Sequence, residues 1–220
     1  MDLMQAIQER HSVRAYTGQG IEEEKREKLN GLIQACNEEG RLHIQIQYDN
    51  PSGFDSKLAH YGKFRNVTNY MILSGKPALD LPERCGYYGE KLVLEAQKIG
   101  LNTCWVALSY NKSIVKAQIP GGDKLIAVIA IGYGETQGVP HRSKSLKNVL
   151  ETENKTPDWF QKGAKASLLA PTAMNQQKFK IRLKDGEPVI HVSGIGPYRR
   201  IDLGIVKYHF EVASGHKVKI

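Results

Sequence analysis

Arg10-His11-Ser12-Val13-Arg14 separates a short amphipathic stretch from a long helical one. Alternate side chains of an extended segment point the same way, so Arg10, Ser12 and Arg14 can present two guanidiniums and a hydroxyl to one site. Guanidinium forks match phosphate oxygens with paired, charge-assisted hydrogen bonds. The same spacing also suits an ordinary basic helix end. Upstream, residues 2–10 place Leu3, Ala6 and Ile7 on one helical face. Downstream, a second helix is expected over 22–39, apolar at Leu29, Leu32, Ile33 and Ala35 and stopped near Gly40.

The chain then alternates strictly over 43–48 as a half-buried strand does, and Asn50-Pro51-Ser52-Gly53 supplies a turn. A β-rich apolar stretch at 67–74 reads as another strand. Residues 89–99 form a helix with Leu92, Val93, Ala96 and Ile99 on one stripe, capped by Gly100. A short strand follows at 103–108. The continuous apolar run 125–131 is too short for a typical buried helix and reads as a central strand covered on both faces. Residues 134–156 are irregular and polar, a candidate functional loop. A helix is expected from Pro157 to about residue 169. A hairpin of 178–183 and 189–192 turns at Asp185-Gly186, and a last helix spans 202–214 with Gly215 past its end.

Composition sets the class. The 220 residues are 40% hydrophobic and 25% charged, close to an ordinary globular domain and unlike a disordered or coiled-coil chain. No apolar run approaches the roughly 20 residues of a membrane span, and the polar start of the chain carries no secretory core. Cys36, Cys85 and Cys104 are an odd set with no C-x-x-C spacing, as expected of free thiols in a reducing cytoplasm. No H-E-x-x-H or paired cysteines call for a metal. The net charge of +8 is uneven: residues 1–110 sum to −1 and residues 111–220 to +9. A basic half can attract phosphates, nucleic acid or an anionic surface, or form a solvated lysine face. No nucleic-acid signature accompanies it.

Three further segments can carry chemistry. Ala170-Pro171-Thr172-Ala173-Met174-Asn175-Gln176-Gln177 joins a helix to a strand. Pro171 stiffens this turn, and Thr172, Asn175 and Gln176 can read the polar edge of a planar heterocycle, though a plain connection capped by Thr172 has the same look. Cys85-Gly86-Tyr87-Tyr88-Gly89-Glu90 is read as opening a helix, whose free N–H groups suit an electron-rich acceptor. His141-Arg142-Ser143-Lys144 is a loop with positive charge to spare.

Together these segments resemble the FMN-dependent nitroreductase-like flavoproteins. That family has an R-x-S-x-R segment after its first helix, matched by Arg10, Ser12 and Arg14. It has an A-P-S-x-x-N-x-Q turn, matched by Ala170, Pro171, Thr172, Asn175 and Gln177. Its G-L-x-x-C-W helix end is met by Gly100, Leu101, Cys104 and Trp105. Its apolar strand ending in G-Y is met by Ala127, Val128, Gly132 and Tyr133, with Arg142 and Lys144 beyond. The resemblance spans most of the chain. It implies an α+β nitroreductase-like fold, with a central, mostly antiparallel sheet flanked by helices. It implies non-covalent FMN held at the phosphate end by Arg10, His11, Ser12, Arg14, Gly134, Arg142 and Lys144. Tyr88, Gly89 and Glu90 would lie near the reactive N5 edge, and Pro171, Thr172, Ala173 and Asn175 would touch the flavin from the other half. Tyr87 or Tyr88 is a candidate wall of the substrate pocket.

One departure carries information. The turn that normally follows the second helix is replaced by Ala35-Cys36-Asn37-Glu38-Glu39, and its match stands at 170–177 instead. The second part in turn lacks R-x-S-x-R. A helix followed by an alternating strand recurs at 22–48 and 157–183, and paired glycines recur as Gly89 with Gly100 and Gly204 with Gly215. The expectation is an internal duplication: residues 1–150 form one half and 151–220 a shorter one, fused so that one chain mimics the family's homodimer. It would bind one FMN and act as a monomeric pseudo-dimer. The implied activity is a cytoplasmic oxidoreductase that passes hydride from NADH or NADPH through FMN to nitroaromatic, quinone or similar electrophilic acceptors, in ping-pong fashion. Its expected partners are the nicotinamide cofactor and the acceptor, with no nucleic acid and no membrane. The alternative is a non-catalytic flavin- or small-molecule-binding module of the same fold.

Overall fold

A computed structural model of the chain describes residues 1–152 and 156–220. The expected loop at 134–156 therefore lies partly, at 153–155, outside the described residues. Four strands pair antiparallel throughout: β1 (Gln45–Gln47), β2 (Asn69–Gly75), β3 (Asn102–Val106) and β4 (Lys124–Gly132), in the order β1-β2-β4-β3. The apolar run at 125–131 is indeed an inner strand, paired with β2 through Tyr70 opposite Ala130 and with β3 through Trp105 opposite Ile129. Its lack of alternation follows from its cover. Met71, Leu73, Ile129 and Ile131 face one hydrophobic cluster, while Tyr70, Ile72, Val128 and Ala130 face another on the opposite side.

The helices arise from local signals. Helix α1 (Leu3–Glu9) starts on a reciprocal cap, with Asp2 accepting from the Gln5 amide and the Gln5 side chain accepting from the Asp2 amide. Helix α2 (Glu23–Gly40) ends with Arg41 in the left-handed conformation, and Gly40 makes room for the Tyr88 ring. Short helices α3 (Lys57–Tyr61) and α5 (Lys112–Lys116), absent from the sequence reading, are capped by Ser56 and Asn111. Helix α4 (Leu81–Lys98) begins eight residues before the expected start, with Pro82 in its first turn. Cys85 to Glu90 therefore lies inside a helix rather than opening one, and its amide groups serve the helix itself.

Beyond β4, helix α6 (Asp158–Ser167) leads to a hairpin of β5 (Phe179–Lys184) and β6 (Glu187–Val192). Asp185 and Gly186 both take positive φ, as a tight hairpin turn requires. Helix α7 (Arg199–Ser214) then packs along α4. The two backbones nearly touch: a Cβ on Gly204 would run into the Glu83 carbonyl, and one on Gly86 into the Ile201 carbonyl. Around this contact Tyr208 meets Tyr87 edge-on at 5.1 Å, and Lys207 pairs with Glu83. Residues from both sides of position 150 share each of two clusters, Tyr208 joining the α4 core and Ala127 joining the α6–α7 core. Among the described residues no helix is long and apolar enough to cross a membrane.

The glycine contact yields a direct test. Gly204→Ala should lower unfolding stability by about 1–3 kcal/mol, because a backbone carbonyl cannot move aside as a side chain can. Gly31→Ala on the exposed face of α2, where a Cβ meets nothing within 4 Å, should stabilise by roughly 0.5–1 kcal/mol. Urea unfolding of the two variants beside the parent reads both signs.

Candidate functional site

The extended segment after α1 adds an edge to the sheet. Ser12 bridges Thr103 in parallel, the Val13 amide donates to the Thr103 carbonyl at 3.0 Å, and the Tyr16 hydroxyl donates back to the Val13 carbonyl at 2.9 Å. Val13 and Tyr16 are buried by this arrangement, and Ser12 and Arg14 are turned to the other side. There they line a cavity of about 390 Å³, within the range of small-molecule sites. Its walls are apolar at Trp105, Val106, Ala127, Ile201 and Ile205, and its far side is the turn Pro171–Met174. The cavity thus brings together two motifs that stand about 160 residues apart in the chain.

Hydrogen bonds hold the turn in place. Met174, Asn175 and Gln177 all take positive φ, a conformation that needs support from outside the turn. Asp202, in the first turn of α7, supplies part of it: its carboxylate accepts from the Ala173 amide at 2.9 Å and the Gln176 side chain at 2.7 Å. Thr172 Oγ1 accepts from the Gln177 amide at 3.0 Å. Asn175 and Gln177 side chains donate to the Arg142 carbonyl at 2.8 and 3.0 Å. Lys144 Nζ donates to the Gln176 and Gln177 carbonyls, each at 2.9 Å. Burial pushes the Asp202 carboxyl up to about 6, against the pull of the Ala173 amide and Gln176.

These contacts revise several expectations. Ser12, Arg14, Pro171, Thr172 and Ala173 line the cavity as expected of binding residues. Asn175 and Lys144 support the turn from behind, and Arg142 contributes its carbonyl to that support while its side chain is exposed. Arg10 does not converge with Ser12 and Arg14. Its guanidinium is only 3% exposed, lies 3.8 Å from Glu90, and leaves Nε without a hydrogen-bond partner. His11 sits beside Arg10 and His141, and burial and the Arg10 charge together hold its pKa below the usual histidine value. Gly134 packs on Val13 and donates to Asn102 Oδ1 at 3.0 Å, away from the cavity lining.

Tyr88, Gly89 and Glu90 are likewise removed from the cavity. Tyr87 and Tyr88 belong to the core, and Gly89 is roofed by Trp105 and Leu73. Glu90 is fully buried and accepts from Trp105 Nε1 at 2.8 Å. Its other oxygen lies 2.9 Å from His209 Nε2, whose Nδ1 is 3.2 Å from the Ala166 carbonyl. Both imidazole nitrogens thus face oxygen. This buried set fixes the indole that walls the cavity. Trp105, Tyr198, Ile201 and Asp202 are site residues that the sequence reading did not assign. An acid in a first helical turn was visible at Asp202, but its partners lie 26 and 29 residues away. Among the described residues no group of three or more His, Cys, Asp or Glu side chains is arranged to hold a metal ion.

The fold is that of the nitroreductase-like proteins. The family model described as "Putative TM nitroreductase" matches residues 2–214, and the chain belongs to that family. A "putative nitroreductase" from Thermotoga maritima is similar at 23% identity and a TM-score of 0.69, over 97% of this chain and 83% of that one. A "putative NADH dehydrogenase/NAD(P)H nitroreductase" from Parabacteroides distasonis reaches 20% identity and 0.53, over 70% and 98%. An FMN-dependent nitroreductase from Clostridium difficile reaches 16% and 0.50, over 60% and 88%. No curated protein sequence matches the chain.

The Asp202 support has a pH signature. A carboxyl raised from the ordinary 3.8 to about 6 binds a proton more tightly folded than unfolded, so folding stability falls as pH rises through that interval. Asp202→Asn keeps an acceptor for the Ala173 amide and removes the titration. The urea midpoint of the parent, taken relative to that of the variant, should decline between about pH 4 and 6, because Glu22, Glu24, Asp80 and Asp123, held below their ordinary values, give both proteins the same opposing slope. A variant with the parent's slope would contradict this assignment.

Proposed function

We propose that the chain is an FMN-dependent NAD(P)H oxidoreductase, with its flavin bound in the cavity between Ser12–Arg14 and the Pro171–Met174 turn. The observation that carries this reading is the convergence of those two motifs on one apolar slot. The residues present fit the cofactor. Trp105, Val106, Ala127 and Ile205 offer apolar walls to a planar ring. Ser12 and Arg14 offer a hydroxyl and a guanidinium to a phosphate. The strained turn sets Pro171, Thr172 and Ala173 against one edge of the ring. Bound there, FMN would supply the hydride chemistry between NAD(P)H and a nitroaromatic, quinone or similar acceptor.

The protein's own contributions are position and electrostatics. Arg14 favours an anionic cofactor. The Glu90–His209 pair fixes the Trp105 indole, and Asp202 holds the turn. Residues of 1–150 and of 151–220 both line the slot, which supports the reading of two fused halves with complementary motifs and one FMN per chain, acting as a monomer in the cytoplasm.

A visible absorption spectrum of the purified protein, taken after FMN addition and desalting, tests this reading. The expected result is one oxidised flavin per chain, bleached by anaerobic NADH or NADPH and restored by a quinone. Arg14→Ala should weaken FMN binding about 10- to 100-fold, the worth of one charge-assisted hydrogen bond. No retained flavin, or two per chain, would refute the assignment. Flavin that is retained but never bleached would make the protein a binding module.

A further inference from the structure

A second cavity, of about 470 Å³, opens beside the first. Ala107, Leu108, Tyr198 and Ile201 line both and form the partition between them. The two differ in charge. The first is apolar, with Asp202 committed to the turn. The second is lined by Lys112, Lys124, Arg199 and Arg200 together with Tyr110, and among the described residues no carboxylate lines it.

The four cations come from three elements. Lys112 opens α5, Lys124 opens β4, and Arg199 and Arg200 begin α7. The Arg199 guanidinium donates to the Gly194 carbonyl, and Arg200 Nη1 donates to the Leu79 carbonyl at 2.8 Å. Carbonyl anchors fix both guanidiniums and leave their charge uncompensated. The start of α7, a 16-residue helix with no side-chain cap, adds the positive end of its dipole at the same place.

We infer that this second cavity is a phosphate-ester subsite for the ligand whose ring enters the first. The inference rests on the function proposed above only for the identity of that ring. A phosphate monoester carries nearly two negative charges at neutral pH and offers three acceptor oxygens, which suits paired guanidiniums and two ammonium groups. The phosphate can come from the 2′-position of a nicotinamide dinucleotide or from an esterified aromatic acceptor. The side-chain chemistry favours the dinucleotide. Carboxylates read an unmodified ribose diol and arginines a 2′-phosphate, and this lining has the second without the first. The donor is then NADPH in preference to NADH.

Calorimetric titration of the flavin-reconstituted protein with NADP⁺ and NAD⁺ tests the subsite, because the two probes differ only by the 2′-phosphate and no reduction is needed. NADP⁺ should bind at least about tenfold more tightly, and the ratio should fall toward one in Lys124→Ala/Arg200→Ala. Lys112→Ala/Lys124→Ala, which removes two exposed side chains outside α7, repeats the test should the first variant unfold. Phenyl phosphate against phenol is the second arm. If only phenyl phosphate is discriminated, and the variants abolish that, the subsite holds and the ester belongs to the acceptor. If neither phosphate ligand outbinds its phosphate-free counterpart, or the variants bind as the parent does, the subsite is disproved. Flavin retention measured on the same sample is a separate readout, so a failed subsite and a failed flavin site are told apart.

Discussion

The close approach of α4 and α7 at Gly86 and Gly204 is the constraint on which the site depends. Two helices whose backbones nearly meet have little freedom to slide, since a carbonyl from each fills the space a Cβ would take on the other. That contact sets the height of α7 over the sheet. It thereby sets where the first turn of α7 delivers Tyr198, Ile201 and Asp202. Asp202 reaches the Ala173 amide and Gln176, and the turn they belong to becomes the far wall of the first cavity. Further along the same pair of helices, His209 reaches Glu90, and Glu90 reaches the Trp105 indole on the near wall. Both walls are therefore referenced to one helix pair.

Glu90 explains why Arg10 departs from its motif. A fully buried carboxylate is costly unless charge and hydrogen bonds compensate it. Here Trp105 donates to one oxygen, His209 Nε2 lies 2.9 Å from the other, and Arg10 stands 3.8 Å away. Burial lowers the Arg10 pKa, and the Glu90 charge works to raise it. Arg10 thus serves the core with its side chain while its charge still acts on the adjoining corner, where it depresses His11. Ser12 and Arg14, two and four residues on, line the cavity, with the Arg14 guanidinium 5.9 Å from the Phe64 ring centre.

Much of this was legible in the sequence, for physical reasons that differ from element to element. The run at 125–131 lacks alternation because both faces of β4 are covered, and length alone separated it from a helix. The hairpin at Asp185-Gly186 declared itself because two consecutive positive φ values restrict the residues a chain can use. The R-x-S-x-R segment and the 170–177 turn were recognisable as residue types in order, and the cavity they share could be expected from them. The start of α4 was misplaced because the glycines at 86 and 89 look like a helix opening. They serve close packing against α7 and Trp105 instead, and Pro82 was the better marker. Glu90–His209, Asp202–Ala173 and the Lys144 contacts were beyond reach, since each joins residues tens of positions apart and depends on how helices are stacked.

The uneven charge of the chain gains a local meaning from the two cavities. Lys112, Lys124, Arg199 and Arg200 all lie in residues 111–220, which sum to +9. That excess is not spread evenly as a solvating coat. Part of it is anchored by backbone carbonyls at the mouth of an apolar slot, where field lines are focused by low-dielectric walls. Arg14 adds a cation to the slot itself, and Asp202, the one carboxylate there among the described residues, is buried and hydrogen-bonded to the turn. An anion approaching this face meets attraction at the entrance and little opposing charge within. A cation meets the reverse. The same arrangement that holds the turn open for a planar ring therefore selects, by charge, which rings arrive.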